Sequence, residues 1–279
     1  MWLRRPVLEE WYLRQLSASD PETRRHAALE LSEMKSRRAL PVLLGMLEAE
    51  AAESRTVTFD GHQHQTFVRE SLAKLGTLSA ERLFDAFSIV EEKALIDYIA
   101  ETLGDMGQTG ASFLWKALEL PRAPARIAAM CALWRVERAG TDWERFISRA
   151  STLLTDDESA EVRNAAANVL DGMGPAAARA LPALSRANQD PAGEVRTSAA
   201  WAVFHILRSA DAYIQALESQ DRYLIEYAIR MLDFDPRDKE SIPILMKHLS
   251  SEESSDETQE WKKFATYALR RFHGKTTES

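Results

Sequence analysis

A unit of about 34 residues, clearest from Asp156 to Asp190, recurs along this chain and restricts it to a repeat architecture. It reads DDESAEVRNAAANVLDGMGPAAARALPALSRANQD: an acidic start, Val-Arg followed by small residues, a Gly-rich break, Leu-Pro-x-Leu, and a return to Asp. Val162, Ala165, Ala166, Val169 and Leu170 recur at helical spacing and make one apolar stripe, with Glu158, Glu161, Arg163, Asn164 and Asn168 off it. Gly172 and Gly174 suit a helix end that needs positive φ, and Pro175 suits the first turn of the next helix. Leu181 and Leu184 face inward on that second helix, where Pro182 lies early enough to be tolerated. The unit is one helical hairpin. A hairpin of this size cannot bury both of its faces, so neighbours must stack on it.

Other copies follow the same grammar. Residues 2–16 read as an opening amphipathic helix with Leu8, Trp11, Tyr12 and Leu16 on one side, placed to cap the array. The first full repeat starts at Asp20-Pro21, an N-cap followed by a favourable first helical residue, and its second helix carries Leu40-Pro41-Val42-Leu43. Residues 51–64 interrupt the pattern; Thr56 to Phe59 followed by Asp60-Gly61 predicts a β-hairpin or ordered loop. Val68-Arg69, Arg126-Ile127-Ala128-Ala129 and Val195-Arg196 mark later repeats, while the third and seventh lack the Arg. A last helix, about 256–272, sets Trp261, Phe264, Ala268, Leu269 and Phe272 on one stripe, and 274–279 reads as a loose tail. Residues 1–273 are thus expected to form one repeat domain.

Composition narrows the setting. Of 279 residues 45% are hydrophobic and 28% charged, with 43 acids against 35 bases, which describes a folded chain whose acid excess opposes attraction to nucleic acid or an anionic bilayer. Cys131 is the one cysteine, so no internal disulfide can form, and a reducing cytoplasm suits the chain. Acids and a proline break the apolar character of the N-terminal stretch, which is not expected to act as a secretory signal. No run approaches the roughly 18 apolar residues of a membrane span.

Asp-Pro, Val-Arg-x-Ala-Ala, Leu-Gly-x-x-Gly (Leu103-Gly104-Asp105-Met106-Gly107) and Leu-Pro-x-Leu resemble the HEAT repeat family, particularly its short bacterial units and those of bilin lyases. The likeness covers nearly the whole chain; the starts at 156, 190, 221 and 256 lie 34, 31 and 35 residues apart. It implies an all-α, right-handed α-α superhelix of about seven hairpins with capping helices. It also implies a structural ladder in which the motif Arg pairs with an Asp of its own or the next unit, a role carried to Arg25, Arg69, Arg126, Arg163 and Arg196. Solenoids of this kind commonly hold an extended or large partner. The resemblance therefore implies a non-catalytic scaffold or adaptor with a protein partner. Two other classes stay open: a HEAT-like DNA-binding or DNA-glycosylase-type protein, and a lyase or chaperone-like factor for a cofactor-bearing protein. A di-iron hydroxylase of this family would need His-Glu pairs, and none of the six His residues is followed by Glu.

Candidate contact residues follow from position. Trp201 lies five residues after its motif Arg, where sister repeats carry Glu30, Lys74, Cys131 and Asn168, so a partly exposed indole is expected there. Trp115 and Trp143 fall on second helices. Phe59, His62 and His64 sit on the interrupting segment; the two imidazoles would share a strand face, but with Asp60 they read as a polar tip rather than a metal site, and no cofactor is expected.

Overall fold

The computed structural model describes residues 5–53, 66–137, 142–208, 216, 221–231 and 266. Their regular structure is helical throughout, so the fold is all-α. The chain divides into two compact units, Met1–Trp143 and Glu144–Ser279.

The first unit holds α1 (Arg5–Gln15), α2 (Pro21–Glu33), α3 (Leu40–Glu53), α4 (Thr66–Leu75), α5 (Thr77–Ile89), α6 (Lys93–Asp105), α7 (Gln108–Ala117) and α8 (Ala123–Glu137). First helices pack on first helices, α2 on α4, α4 on α6 and α6 on α8, while α4 packs on its return helix α5 and α6 on its return helix α7. Leu31, Leu43, Leu72, Leu83, Phe87, Ile96, Leu103 and Leu114 are fully buried, and they lie at the apolar stripe positions of successive helices. Burying such side chains stabilises by about 1.5–3 kcal/mol each, which isolated helices of this length lack.

The second unit holds α9 (Trp143–Asp156), α10 (Ala160–Met173), a 3-10 segment (Gly174–Ala180), α11 (Leu181–Ala187), α12 (Gly193–Ile206) and α13 (Arg222–Met231). Helix α10 runs along α12, the 3-10 segment folds back on both, and α11 packs on α12. Val162, Ala166, Leu170, Leu184, Val195, Ala199 and Val203 form the core. Ala167 completes the buried face of α10, and Ala165, expected on the stripe, is half-buried.

Several expectations need correction. Gly172 is helical; the residue that turns the chain is Gly174, at φ +55, as Gly76 and Gly107 do in earlier repeats. The return limb of this repeat is not one helix. It starts as a 3-10 segment that leaves helical φ/ψ at Ala177, and α11 begins at Leu181 with Pro182 in its first turn. Leu40-Pro41 likewise opens α3, so Leu-Pro marks a helix start because proline needs no N–H donor there. The interruption begins later than residue 51, since α3 runs to Glu53. Finally, α1 turns Val7, Leu8 and Trp11 outward, at 70%, 46% and 50% exposure, and buries none of its own residues. Polar links tie it down, Arg38 to Glu10 at 2.8 Å, Ser36 to Glu9 at 2.5 Å and Arg5 to the Met34 carbonyl, and the half-buried Tyr12 ring stands edge-on to His26 at 5.7 Å. The 56–64 hairpin and the 256–272 helix lie outside the described residues, Thr266 apart.

Candidate functional site

The motif Arg, where a repeat has one, occupies the fourth position of the first helix. From there its guanidinium reaches back past the helix start: Arg163 Nη1 donates to the Asp157 and Glu158 carbonyls at 2.9 and 3.2 Å. Arg196 Nη1 donates to those of Asp190 and Pro191 at 2.6 and 3.0 Å, and Arg126 Nη1 to that of Leu120 at 2.8 Å. In the first repeat Arg24 makes these bonds, to the Ala18 and Ser19 carbonyls at 2.8 and 2.9 Å, rather than Arg25. Asp20 caps α2 through the Thr23 N–H, which makes Pro21 the first helical residue and Arg24 the fourth. The correction moves the position equivalent to Trp201 from Glu30 to Leu29. In the two repeats without the Arg, the fourth residue is Ile96 or Ile225, both buried.

Arg163 also reaches the next unit, bonding both oxygens of Asp190 at 2.7 and 2.9 Å, with the two side chains 12% and 8% exposed. The Arg163 guanidinium holds the Asp190 carboxyl below its ordinary range, helped by the Ala192 N–H. Arg69 instead pairs with Glu101 at 2.6 Å and Asp105 at 2.7 Å on the following first helix. These contacts stitch repeat to repeat and leave the guanidinium committed.

At the ninth position of the first helices the side chains point away from the core. Lys74 pairs with Glu33 and Glu70 at 3.2 and 3.3 Å. Glu101 pairs with Arg69 and, at 3.3 Å, with Arg135. Asn168 is exposed. Cys131 is exposed and Leu29 half-buried at the same position, and Trp201 is 57% exposed. Phe204 stands edge-on to it at 5.8 Å between centroids, and His205 lies tilted against both rings at 5.9 and 5.6 Å. His205 Nδ1 is 2.5 Å from Asp171 Oδ1 on α10. An exposed indole is thus braced by two rings and neighboured by a carboxylate.

Of the other candidates, Trp115 on α7 and Trp143 at the start of α9 are half-buried. Phe59, His62 and His64 lie outside the described residues. Phe204, His205 and Asp171 were not singled out from the sequence, although the spacing of 201, 204 and 205 on one helix face was there to read. Trp11 is a second exposed indole that position alone did not reveal. A groove of about 570 Å³ runs along the hydroxyl face of α9, lined by Ser148, Ser151, Thr152, Thr155, Arg179 and Arg186 among others. Its Arg179 pairs with Glu144 at 2.7 Å, both well exposed. Among the described residues no three acids, imidazoles or thiols gather as metal ligands, and no helix is long and apolar enough to cross a membrane.

No family model and no curated protein matches the chain. Solved structures do. An engineered protein is 18% identical over 95% of this chain and 97% of its own, with a TM-score of 0.33. The complex of CpcE and CpcF of phycocyanin lyase from Nostoc sp. PCC7120 is 17% identical over 85% and 92%, with a TM-score of 0.30. Kap95p, in a structure with RanGDP, is 10% identical over 96% of this chain and 37% of its own, with a TM-score of 0.38. At these values they carry no argument about what the chain binds.

Proposed function

We propose that this chain is a HEAT-like repeat protein that acts without catalysis, as a cytoplasmic scaffold or adaptor, and that it grips a protein partner at Trp201. The observation that carries this reading is the 57% exposure of an indole where sister repeats carry the smaller side chains of Leu29, Lys74, Glu101, Cys131 and Asn168. Leaving that much of a large apolar side chain in water forgoes about 3 kcal/mol, which a partner would recover on covering it. Two packed rings hold the indole in one place, so little side-chain entropy is lost on docking. The single thiol suits a reducing compartment.

The test is affinity capture from the native host with mass spectrometry, wild type against Trp201→Ala and Trp201→Lys, each checked for wild-type helicity. A protein retained by the wild type and lost from both folded variants is the expected result. An identical retained set, or loss of folding in both variants, would sink the proposal, because the indole would then be a packing residue.

A further inference from the structure

We infer that Asp171 and His205 are positioning residues of the Trp201 surface, holding the indole in its docking orientation from across the repeat boundary; this rests on the protein-binding reading above. Long side chains on a helix lean towards its N-terminus, so rings three and four residues further on lie back over Trp201. Phe204 and His205 do so, at 5.8 and 5.9 Å between centroids. Phe204 has no polar atom with which to fix its plane. His205 has one: its Nδ1 lies 2.5 Å from Asp171 Oδ1 on α10. A carboxylate only accepts, so Nδ1 carries the proton, and turning the imidazole away from the indole breaks that bond.

A backward link of this kind recurs, and the group that makes it differs. The thirteenth residue of α8 is Arg135, which bonds Glu101 of α6 at 3.3 Å; the thirteenth residue of α12 is His205, which bonds Asp171 of α10. Where the ninth residue is the small Cys131, the linking group is a flexible arginine. Where it is Trp201, the linking group is a ring that packs on the indole. A link that only tied repeats together would not need that ring. An exposed indole free to change rotamer loses that freedom when a partner covers it, so a brace set beforehand raises affinity roughly two- to tenfold.

The experiment measures ¹⁵N relaxation of the Trp201 indole N–H in the full chain, its signal identified by loss in Trp201→Phe. The wild-type indole should be as ordered as a rigid backbone, with an order parameter near about 0.85, and should fall below about 0.6 in Asp171→Ala. Asp171→Asn keeps an acceptor for Nδ1 and should hold the wild-type value. Arg196→Ala, which frees the start of α12 from the Asp190 and Pro191 carbonyls, should also leave the indole ordered. A loose indole in the wild type, an ordered one in Asp171→Ala, or equal loss of order in Asp171→Asn or Arg196→Ala would each overturn the assignment. With the partner captured, Asp171→Ala should bind it roughly two- to tenfold more weakly. An indole that stays ordered in Asp171→Ala while Trp201→Ala loses the partner removes the positioning assignment alone; a partner retained by Trp201→Ala removes the protein-binding reading and the docking role with it.

Discussion

At the scale of single residues, one helix position decides what an arginine does. The fourth residue of a first helix reaches the carbonyls before the helix start, and the fifth does not. Arg163 adds a two-oxygen bond to Asp190, largely shielded from water, so Arg163→Ala should lose about 3 kcal/mol in urea unfolding by leaving that carboxylate unpaired. Arg24→Ala should cost about 1 kcal/mol and Arg25→Ala under about 0.5 kcal/mol. Equal losses from Arg24→Ala and Arg25→Ala would contradict the register. Asp190 sets a pH dependence of definite sign. Its carboxyl is depressed below the ordinary 3.8, so the stability it lends is complete above that value and disappears as pH falls through the folded value. Asp190→Asn should therefore flatten the stability profile below about pH 4, and a profile unchanged by that substitution would count against the pairing. The Val-Arg motif was legible from the sequence because it recurs; the choice between Arg24 and Arg25 was not, because it depends on which residue caps α2.

At the scale of elements, the hairpin breaks were legible and their inner detail was not. A Gly-x-Gly break announces a turn, but Gly172 and Gly174 are equivalent on paper, and only backbone geometry gives the positive φ to Gly174. Gly110 is a close-approach glycine: a Cβ there would stand 1.8 Å from the Leu103 carbonyl oxygen where α7 crosses α6. Gly110→Ala should cost at least about 3 kcal/mol, since backbone rather than a flexible side chain must move. Gly45, in the interior of α3 with nothing near its Cβ, is the control, and Gly45→Ala should stabilise by about 0.5–1 kcal/mol. Thermal unfolding of the two variants in opposite directions is the expected outcome.

At the scale of the whole molecule, periodicity made the fold class legible, since a chain written in 31- to 35-residue units with alternating stripes and breaks has few alternatives to stacked hairpins. Stacking also implies that stability is shared among neighbours. Leu170→Ala, at a fully buried position, should cost about 2–5 kcal/mol and speed amide exchange in α10, α11 and α12, with α2 and α4 unaffected. The proposed binding surface was only half legible: alignment of the repeats pointed at Trp201, while its ring neighbours Phe204 and His205 were not singled out. The most direct measurement of the central claim is photo-crosslinking in the native host with p-benzoylphenylalanine at position 201. One discrete protein adduct, absent when the probe is placed at exposed Glu161 instead, is the predicted result. Adducts only to nucleic acid, or the same pattern from both positions, would contradict it.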